Sequence, residues 1–351
     1  MDIQERANGL LRALDRYLGK PLVCLCIPFR KKRTLPSSIH SIALLKSAAI
    51  GDTVLLSAII QDLLIHFADA EITLFTGQSN VQAGRMISGV MVEPLPMSRP
   101  LDSLKLIRKK KFDLFIDFDS WPRITALLTF FSRSKYTMGF ATQGQCRHYL
   151  YDHAHKHSFN LHELENYRAL IAPLAMQQKH SPKIEMSMQQ QKKRVVLHMF
   201  AGGSRAYLKQ WPKERWQALI DWLAEQGYEV ALTGGAGDDC ASFSGATHYA
   251  GKLNLQETAK LLTESHCVVS VDTGIMHLAA ALGCRVVALH GPTSPARWGG
   301  VGPNVISLQP DLKYTPCIQL GFESKCSKPT CMQAITVEQV QQAIGHSIES
   351  I

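Results

Sequence analysis

No apolar run in this chain reaches the length of a membrane-spanning helix, and the polar start Met1-Asp2-Ile3-Gln4-Glu5-Arg6 gives no sign of a signal peptide. Neither of its glycine-rich turns spells Gly-x-Gly-x-x-Gly, and Gly-x-x-x-x-Gly-Lys-Ser/Thr is missing altogether. That counts against dinucleotide oxidoreductases and P-loop enzymes. Paired Cys-x-x-Cys spacing is missing too, so Cys317, Cys326 and Cys331 do not read as a structural zinc site, and no metal is expected. The nine cysteines are an odd number, which suits thiols in a reducing compartment better than a disulfide framework. Acidic residues are short relative to basic ones, 29 against 38, leaving a net charge of +9. Such a surplus implies an acidic partner: nucleic acid, an anionic membrane surface or a phosphorylated substrate. The interleaving of aromatic and basic residues typical of nucleic-acid surfaces is absent, so no nucleic-acid partner is expected.

What is present describes a folded α/β protein. A hydrophobic fraction of 46% with 19% charged residues suits a globular chain, and 351 residues exceed one ordinary core. Residues 1–38 read as an N-terminal extension: an amphipathic helix with Ile3, Ala7, Leu10, Leu11, Leu14 and Leu18 on one stripe, stopped by Pro21. The apolar run Leu22 to Phe29 follows, in which Cys24 and Cys26 alternate as small core residues, and then the basic run Arg30 to Arg33. This combination resembles a membrane-surface anchor, and a helix packed on its domain beside a solvated basic loop is the other reading. From residue 39 to 180, strands at Ser41 to Lys46, Glu71 to Phe75 and Phe112 to Phe118 alternate with helices, the signature of a doubly wound parallel sheet. The tract holding His153, His155 and His157 has no carboxylate cluster to support a metal and reads as a basic, substrate-facing loop. Residues 181–192 read as a linker. A second αβ series occupies 193–335, and 336–351 reads as a terminal helix. Two Rossmann-like halves of this kind face each other across a cleft where ligands bind.

The most informative stretch runs from Val268 to Thr293. Two β-branched runs, Val268 to Val271 and Val286 to Leu289, flank a small-residue helix opened by Thr273 and Gly274. The N–H groups at such a helix start, with Asp272 beside them, suit a phosphate, although an ordinary βα turn has the same local pattern. Lys209 and the Gly202-Gly203-Ser204 turn are further anion contacts in this half, and a second glycine-rich turn ends at Asp238 and Asp239. In the first half, Asp52 follows Gly51 at a helix start. A carboxylate there suits a general base activating a hydroxyl, and its other role is an N-cap aspartate.

These residues carry a family resemblance. Lys46-x-x-x-Ile50-Gly51-Asp52-x-x-Leu55, Lys209-x-Trp211-Pro212-x-x-x-Trp216, Ser270-Val271-Asp272-Thr273-Gly274-x-x-His277 and Gly291-Pro292-Thr293-x-Pro295 resemble, in order, the ADP-heptose:lipopolysaccharide heptosyltransferases of glycosyltransferase family 9. The resemblance implies a GT-B fold and an inverting, metal-independent transfer that needs no cofactor. It implies ADP-L-glycero-D-manno-heptose as donor, and lipopolysaccharide inner core as acceptor at the cytoplasmic face of the inner membrane. By position, Asp52 resembles the family's catalytic base, with Lys46 in the same turn, and Lys209 resembles the lysine on the donor phosphates. Thr273 and Gly274 match the phosphate-binding helix start, and Asp272 the residue facing the donor sugar. Asp239 falls where a carboxylate meets the ribose and Leu253 where an apolar side chain meets adenine. Ser204 is a further phosphate contact, and His277 a packing or supporting residue one turn into the helix. The chain departs from the family in the 38 residues before its first strand and in the longer segment Gly202 to Leu208. A relative transferring another sugar to a surface polysaccharide, or a non-catalytic nucleotide-sugar-binding protein, are the alternatives.

Overall fold

The computed structural model describes residues 13–187, 191–203, 205–318 and 326–349. The chain divides into two units, Met1–Ser158 with Glu163–His180, and Phe159–His162 with Ser181–Ile351. Phe159 to His162, which the sequence keeps with the first domain, belongs to the second. The Arg297 guanidinium lies 5.3 Å over the Phe159 ring, and His162 Nε2 is 3.0 Å from the Gly299 carbonyl.

In the first unit, six strands pair in parallel among the described residues: β1 (Ser41–Lys46), β2 (Glu71–Thr76), β3 (Met91–Pro94), β4 (Leu114–Asp117), β5 (Tyr136–Ala141) and β6 (His153–Lys156), in the order β3-β2-β1-β4-β5-β6. The central strands are apolar on both faces because helices cover both. The helices of this unit include α1 (Lys20–Cys26), α2 (Ile50–His66), α3 (Arg123–Phe130) and α4 (Glu163–Ile171). Helix α2 buries Val54, Leu55, Leu56, Ile59, Ile60 and Leu63 on nearly every side, so it has no polar stripe. At about 1.5–3 kcal/mol per fully buried aliphatic side chain, such a helix is held by packing rather than propensity.

Three expectations need correction here. The His-rich tract is not a loop: His153 to Lys156 form edge strand β6, in register with Met138 to Ala141, because pairing with β5 satisfies a backbone whose side chains carry no strand pattern. Pro21 does not end the N-terminal helix. A π-turn at Asp15–Gly19 leads into α1, and a 3₁₀ turn at Ile27–Phe29 continues it. The wider turn moves the preceding carbonyls away from the proline ring, which needs no N–H partner. Since Cys24 and Cys26 then sit on a helix rather than a strand, Cys26 is buried and Cys24 is exposed. The part of the proposed stripe at Ile3, Ala7, Leu10 and Leu11 lies outside the described residues.

The second unit repeats the plan. Strands β7 (Lys192–His198), β8 (Glu229–Thr233), β9 (Thr247–His248), β10 (Ser265–Val271), β11 (Val286–Leu289) and β12 (Val305–Leu308) pair in the order β12-β11-β10-β7-β8-β9. Around them lie α5 (Lys213–Glu225), α6 (Leu255–Thr263), α7 (Gly274–Ala281) and α8 (Val337–Glu349). Val195, Leu197, Val269 and Val287 meet Trp216, Leu219 and Leu223 of α5 in one core. Pro212 sits one residue before α5 as its N-cap rather than at the first helical position. Asn254 caps α6, with Glu257 completing a reciprocal capping box. In both sheets the strand order reverses once, between β1 and β4 and between β7 and β10, and ligands gather at the carboxyl ends beside such reversals.

Candidate active site

In the first unit the reversal point collects charge. Leu45 of β1 is level with Asp117 of β4, so Lys46 emerges beside the Asp117-Phe118-Asp119 strand end. After Lys46 the chain turns through Ala49, whose φ of 78° is the left-handed region, and enters α2 at Ile50. Asp52 therefore stands inside the first helical turn. It is not the N-cap residue, which is Ala49. The Lys46 ammonium lies 2.9 Å from Asp52 Oδ2 and 3.3 Å from Asp119 Oδ1, with its side chain only 5% exposed. Burial opposes that charge, but Asp52, Tyr167, Asp119 and Glu163 outweigh it and hold Lys46 well above the ordinary lysine pKa. Its ammonium also lies 5.7 Å from the centre of the Tyr167 ring. Asn80, fully buried, donates to the Lys46 carbonyl at 2.9 Å and to Thr53 Oγ1 at 2.7 Å, which fixes the turn between them.

Behind this pair is a second row. Asp119 Oδ2 accepts the Ser47 amide at 2.9 Å, and Asp117 Oδ1 accepts the Asp119 amide at 2.9 Å. Asp117 Oδ2 in turn holds Arg147 Nη2 at 2.6 Å and the Tyr151 hydroxyl at 2.7 Å. Every carboxylate in the row thus has a cation or donor, as burial requires. Asp117, Asp119, Asn80 and Arg147 were missed in the sequence. The signal that could have found the two aspartates is their place at the end of the strand adjoining β1.

In the second unit, Lys209 Nζ lies 2.8 Å from Asp272 Oδ2 and 3.2 Å from the Asp272 carbonyl, across a separation of 63 residues. A 3₁₀ turn at Ala206–Lys209 delivers the lysine, and β10 delivers the aspartate. Burial opposes ionisation of Asp272, yet Lys209 and then His290 keep its carboxyl far below the usual range. His277 sits nearby on α7 and adds to the same effect. The hydroxyl of Thr273 caps α7, accepting the Ile275 and Met276 amides at 3.2 and 3.4 Å. The helix start is thus less bare than its sequence implied, since two first-turn amides already share an acceptor. Gly274 opens the helix. His198, at the end of β7 and level with Ser270, bonds Thr233 Oγ1 through Nδ1 at 3.0 Å, and burial pushes its pKa down to about 4. His290, fully buried at the end of β11, is likewise depressed by burial. Neither histidine was picked out from the sequence.

The remaining expected residues are more dispersed. Asp239 is exposed and lines a groove with Trp211, Lys213 and Phe243, while its neighbour Asp238 is tied to the Gly235 amide at 2.6 Å. Leu253 is half-buried just before the Asn254 cap. Ser204 lies outside the described residues. Lys46 and Asp52 are thus brought together in one unit, and Lys209, Asp272, Thr273, Gly274 and His277 in the other. Among the described residues, no group of three or more His, Cys, Asp or Glu side chains is arranged to hold a metal.

The family model for glycosyltransferase family 9 (heptosyltransferase) matches residues 102–327. The chain belongs to glycosyltransferase family 9. It is 30% identical over 161 residues to lipopolysaccharide heptosyltransferase 1 of Pseudomonas aeruginosa, covering 40% of this chain and 45% of that protein. Over 102 residues it is 37% identical to lipopolysaccharide heptosyltransferase 1 of Escherichia coli, covering 27% of this chain and 32% of that protein. The match therefore spans less than half the length of either curated relative. Among solved structures, Escherichia coli heptosyltransferase WaaC with ADP superposes with a TM-score of 0.71 at 20% identity, covering 88% of this chain and 99% of that one. A family 9 glycosyltransferase from Veillonella parvula superposes at 0.73 and 17% identity, covering 91% and 99%. This likeness, with the two parallel six-stranded sheets, makes the family 9 chain a GT-B protein.

Proposed function

We propose that this family 9 chain transfers heptose, with inversion and without a metal, from ADP-L-glycero-D-manno-heptose to the inner core of lipopolysaccharide, as a peripheral protein at the cytoplasmic face of the inner membrane. The observation that carries the reading is the Lys209–Asp272 pair at the start of α7, a cation held beside a capped helix N-terminus. Lysine has three N–H donors, and among the described residues Asp272 engages two of them, leaving one for a diphosphate oxygen. The positive end of the helix dipole adds to that attraction.

In this reading Lys209, Thr273 and Gly274 hold the donor diphosphate, Asp272 faces the heptose, Asp239 and Leu253 meet the ribose and adenine, and Ser204 adds a phosphate contact. Asp52 takes the proton from the acceptor hydroxyl as that oxygen attacks the anomeric carbon. The bond to the ADP oxygen breaks on the opposite side of the carbon, which inverts the configuration, and Lys209 offsets the charge appearing on the leaving diphosphate. Lys46 positions Asp52 through the 2.9 Å pair and neutralises it between turnovers. His277 supports Asp272 from within α7.

Two measurements test this. Isothermal titration with ADP, ADP-sugars and an oligonucleotide should show binding of the adenine nucleotides alone, and equal binding of the oligonucleotide would overturn the donor assignment. Transfer assays with EDTA should run at the uninhibited rate, whereas strong inhibition would contradict metal independence.

A further inference from the structure

The N-terminal helical stretch has two unlike sides. Its inner side is built into the first unit. Asp15 accepts the Arg123 and Ile124 amides at 2.7 and 3.1 Å and pairs with the Arg123 guanidinium at 3.2 Å, thereby capping the start of α3. Gly19 lies so close that a Cβ there would stand 3.0 Å from Arg123 Cδ. Val23 and Cys26 enter a cluster with Ala126, Leu127, Leu150 and Tyr151. At the far end Arg30 donates to the Tyr151 carbonyl, and Arg33 pairs with Asp152 at 2.8 Å. The stretch thus runs along α3 from the carboxyl end of the sheet to its amino end, clamped at both.

Its outer side is apolar and, among the described residues, exposed. Leu14, Tyr17, Leu18, Leu22, Leu25 and Phe29 recur at helical spacing, and Tyr17, Leu25 and Phe29 are 70%, 67% and 78% exposed. Monomeric proteins rarely leave such a row in water without a partner. The flanks are cationic. From Ala13 to Leu35 the chain carries Arg16, Lys20, Arg30, Lys31, Lys32 and Arg33 against a single carboxylate, Asp15, which is turned inward to Arg123. Among the described residues, no helix is long and apolar enough to cross a membrane.

We propose that this face is the protein's seat on an anionic lipid bilayer, with Leu18, Leu22, Leu25 and Phe29 in the acyl boundary and Arg16, Lys20, Lys31 and Lys32 on lipid phosphates. An apolar face bounded by cations fits the plane of a charged membrane surface. A second copy fits poorly, because face-to-face packing would set the same cations against each other. Because the inner side is clamped to α3, the lipid surface would lie along the α3 flank of the first unit. The inference rests on the heptosyl-transfer reading for its purpose, namely meeting a lipid-linked acceptor, but its test contains neither donor nor acceptor.

The full chain is sedimented with phosphatidylcholine vesicles, with and without phosphatidylglycerol, and its mass in solution is measured by light scattering. Binding is expected to be roughly tenfold or more tighter to the anionic vesicles and to weaken with salt. Leu25→Glu/Phe29→Glu should lose roughly tenfold or more of it at an unchanged melting temperature, since neither side chain enters the core. Lys31→Glu/Lys32→Glu, outside the helix, should weaken binding several-fold. Wild-type binding by Leu25→Glu/Phe29→Glu would overturn the proposal. So would a soluble dimer that does not bind vesicles and that the same substitutions dissociate. Vesicle binding with no heptosyl transfer would leave this inference standing and sink the functional one.

Discussion

At the scale of single residues, the two lysine–aspartate pairs make separable predictions. Asp52→Asn keeps the shape of the turn but removes the proposed base, so kcat should fall about 10²–10⁴-fold while ADP affinity stays within a factor of two or so. A near-normal rate with an intact fold would remove Asp52 from the reaction. In the proposed reaction Lys209 meets the leaving group, so Lys209→Ala should weaken ADP binding as well as kcat, and the ratio of the two effects distinguishes the sites. It also strips Asp272 of its main partner, and Asp272→Asn/Lys209→Ala should therefore be less unstable than the single lysine change. Lys46, Asp52, Lys209, Asp272, Thr273 and Gly274 could be read from the sequence because each sits in a short local pattern with its own strand or turn. Asp119 and His290 could not, because nothing within a few residues of either says which strand will lie alongside.

Elements were legible in proportion to how local their causes are. Helix α6 has a local cause, a capping box within four residues, and Asn254→Ala should cost about 1 kcal/mol in thermal or denaturant unfolding with little change in kcat. Strands β5 and β6 were not readable. Their stability comes from neighbours, and Gly139 is there to admit the Tyr151 ring, which a Cβ would approach to 2.3 Å. Gly139→Ala should destabilise the first unit by about 1–3 kcal/mol or more, and an unchanged melting temperature would show that the ring moves freely. The N-terminal helix was half legible: its amphipathic period was apparent, but the sequence placed its end at Pro21, eight residues before the helical turns stop at Phe29.

For the molecule as a whole, pH is the informative variable. His198 has a folded pKa of about 4 against an ordinary 6.5. Between those values the unfolded chain binds a proton that the folded chain does not, so stability rises with pH across that window and is complete above it. The difference of about 2.5 units corresponds to about 3 kcal/mol lost on acidification through the window. Asp272, held low by Lys209, acts in the same direction at still lower pH, where its stabilising charge is lost. Melting temperatures measured from pH 7.5 down to 4.5 should fall, and His198→Gln should flatten the curve. A wild-type profile level across that range would show that His198 titrates normally. The net charge of +9 is a long-range property that any reading of composition yields, but composition does not say where it acts. In the fold, Arg33, Arg123 and Arg147 are spent on Asp152, Asp15 and Asp117, while Arg16, Lys20, Lys31 and Lys32 remain exposed around an apolar helix face.

The sequence by itself determined the α/β class, the two-part plan, the family and the helix start at Thr273, since periodicity, caps and short motifs are properties of neighbours along the chain. Only the tertiary structure decided which charges share a site. Parallel strands bring Lys46 to Asp119 across 73 residues and Lys209 to Asp272 across 63, and such pairings follow from strand order, which no local stretch encodes. It also decided which side of the N-terminal helix is bare, because burial depends on what α3 and Tyr151 present to it rather than on the helix's own period.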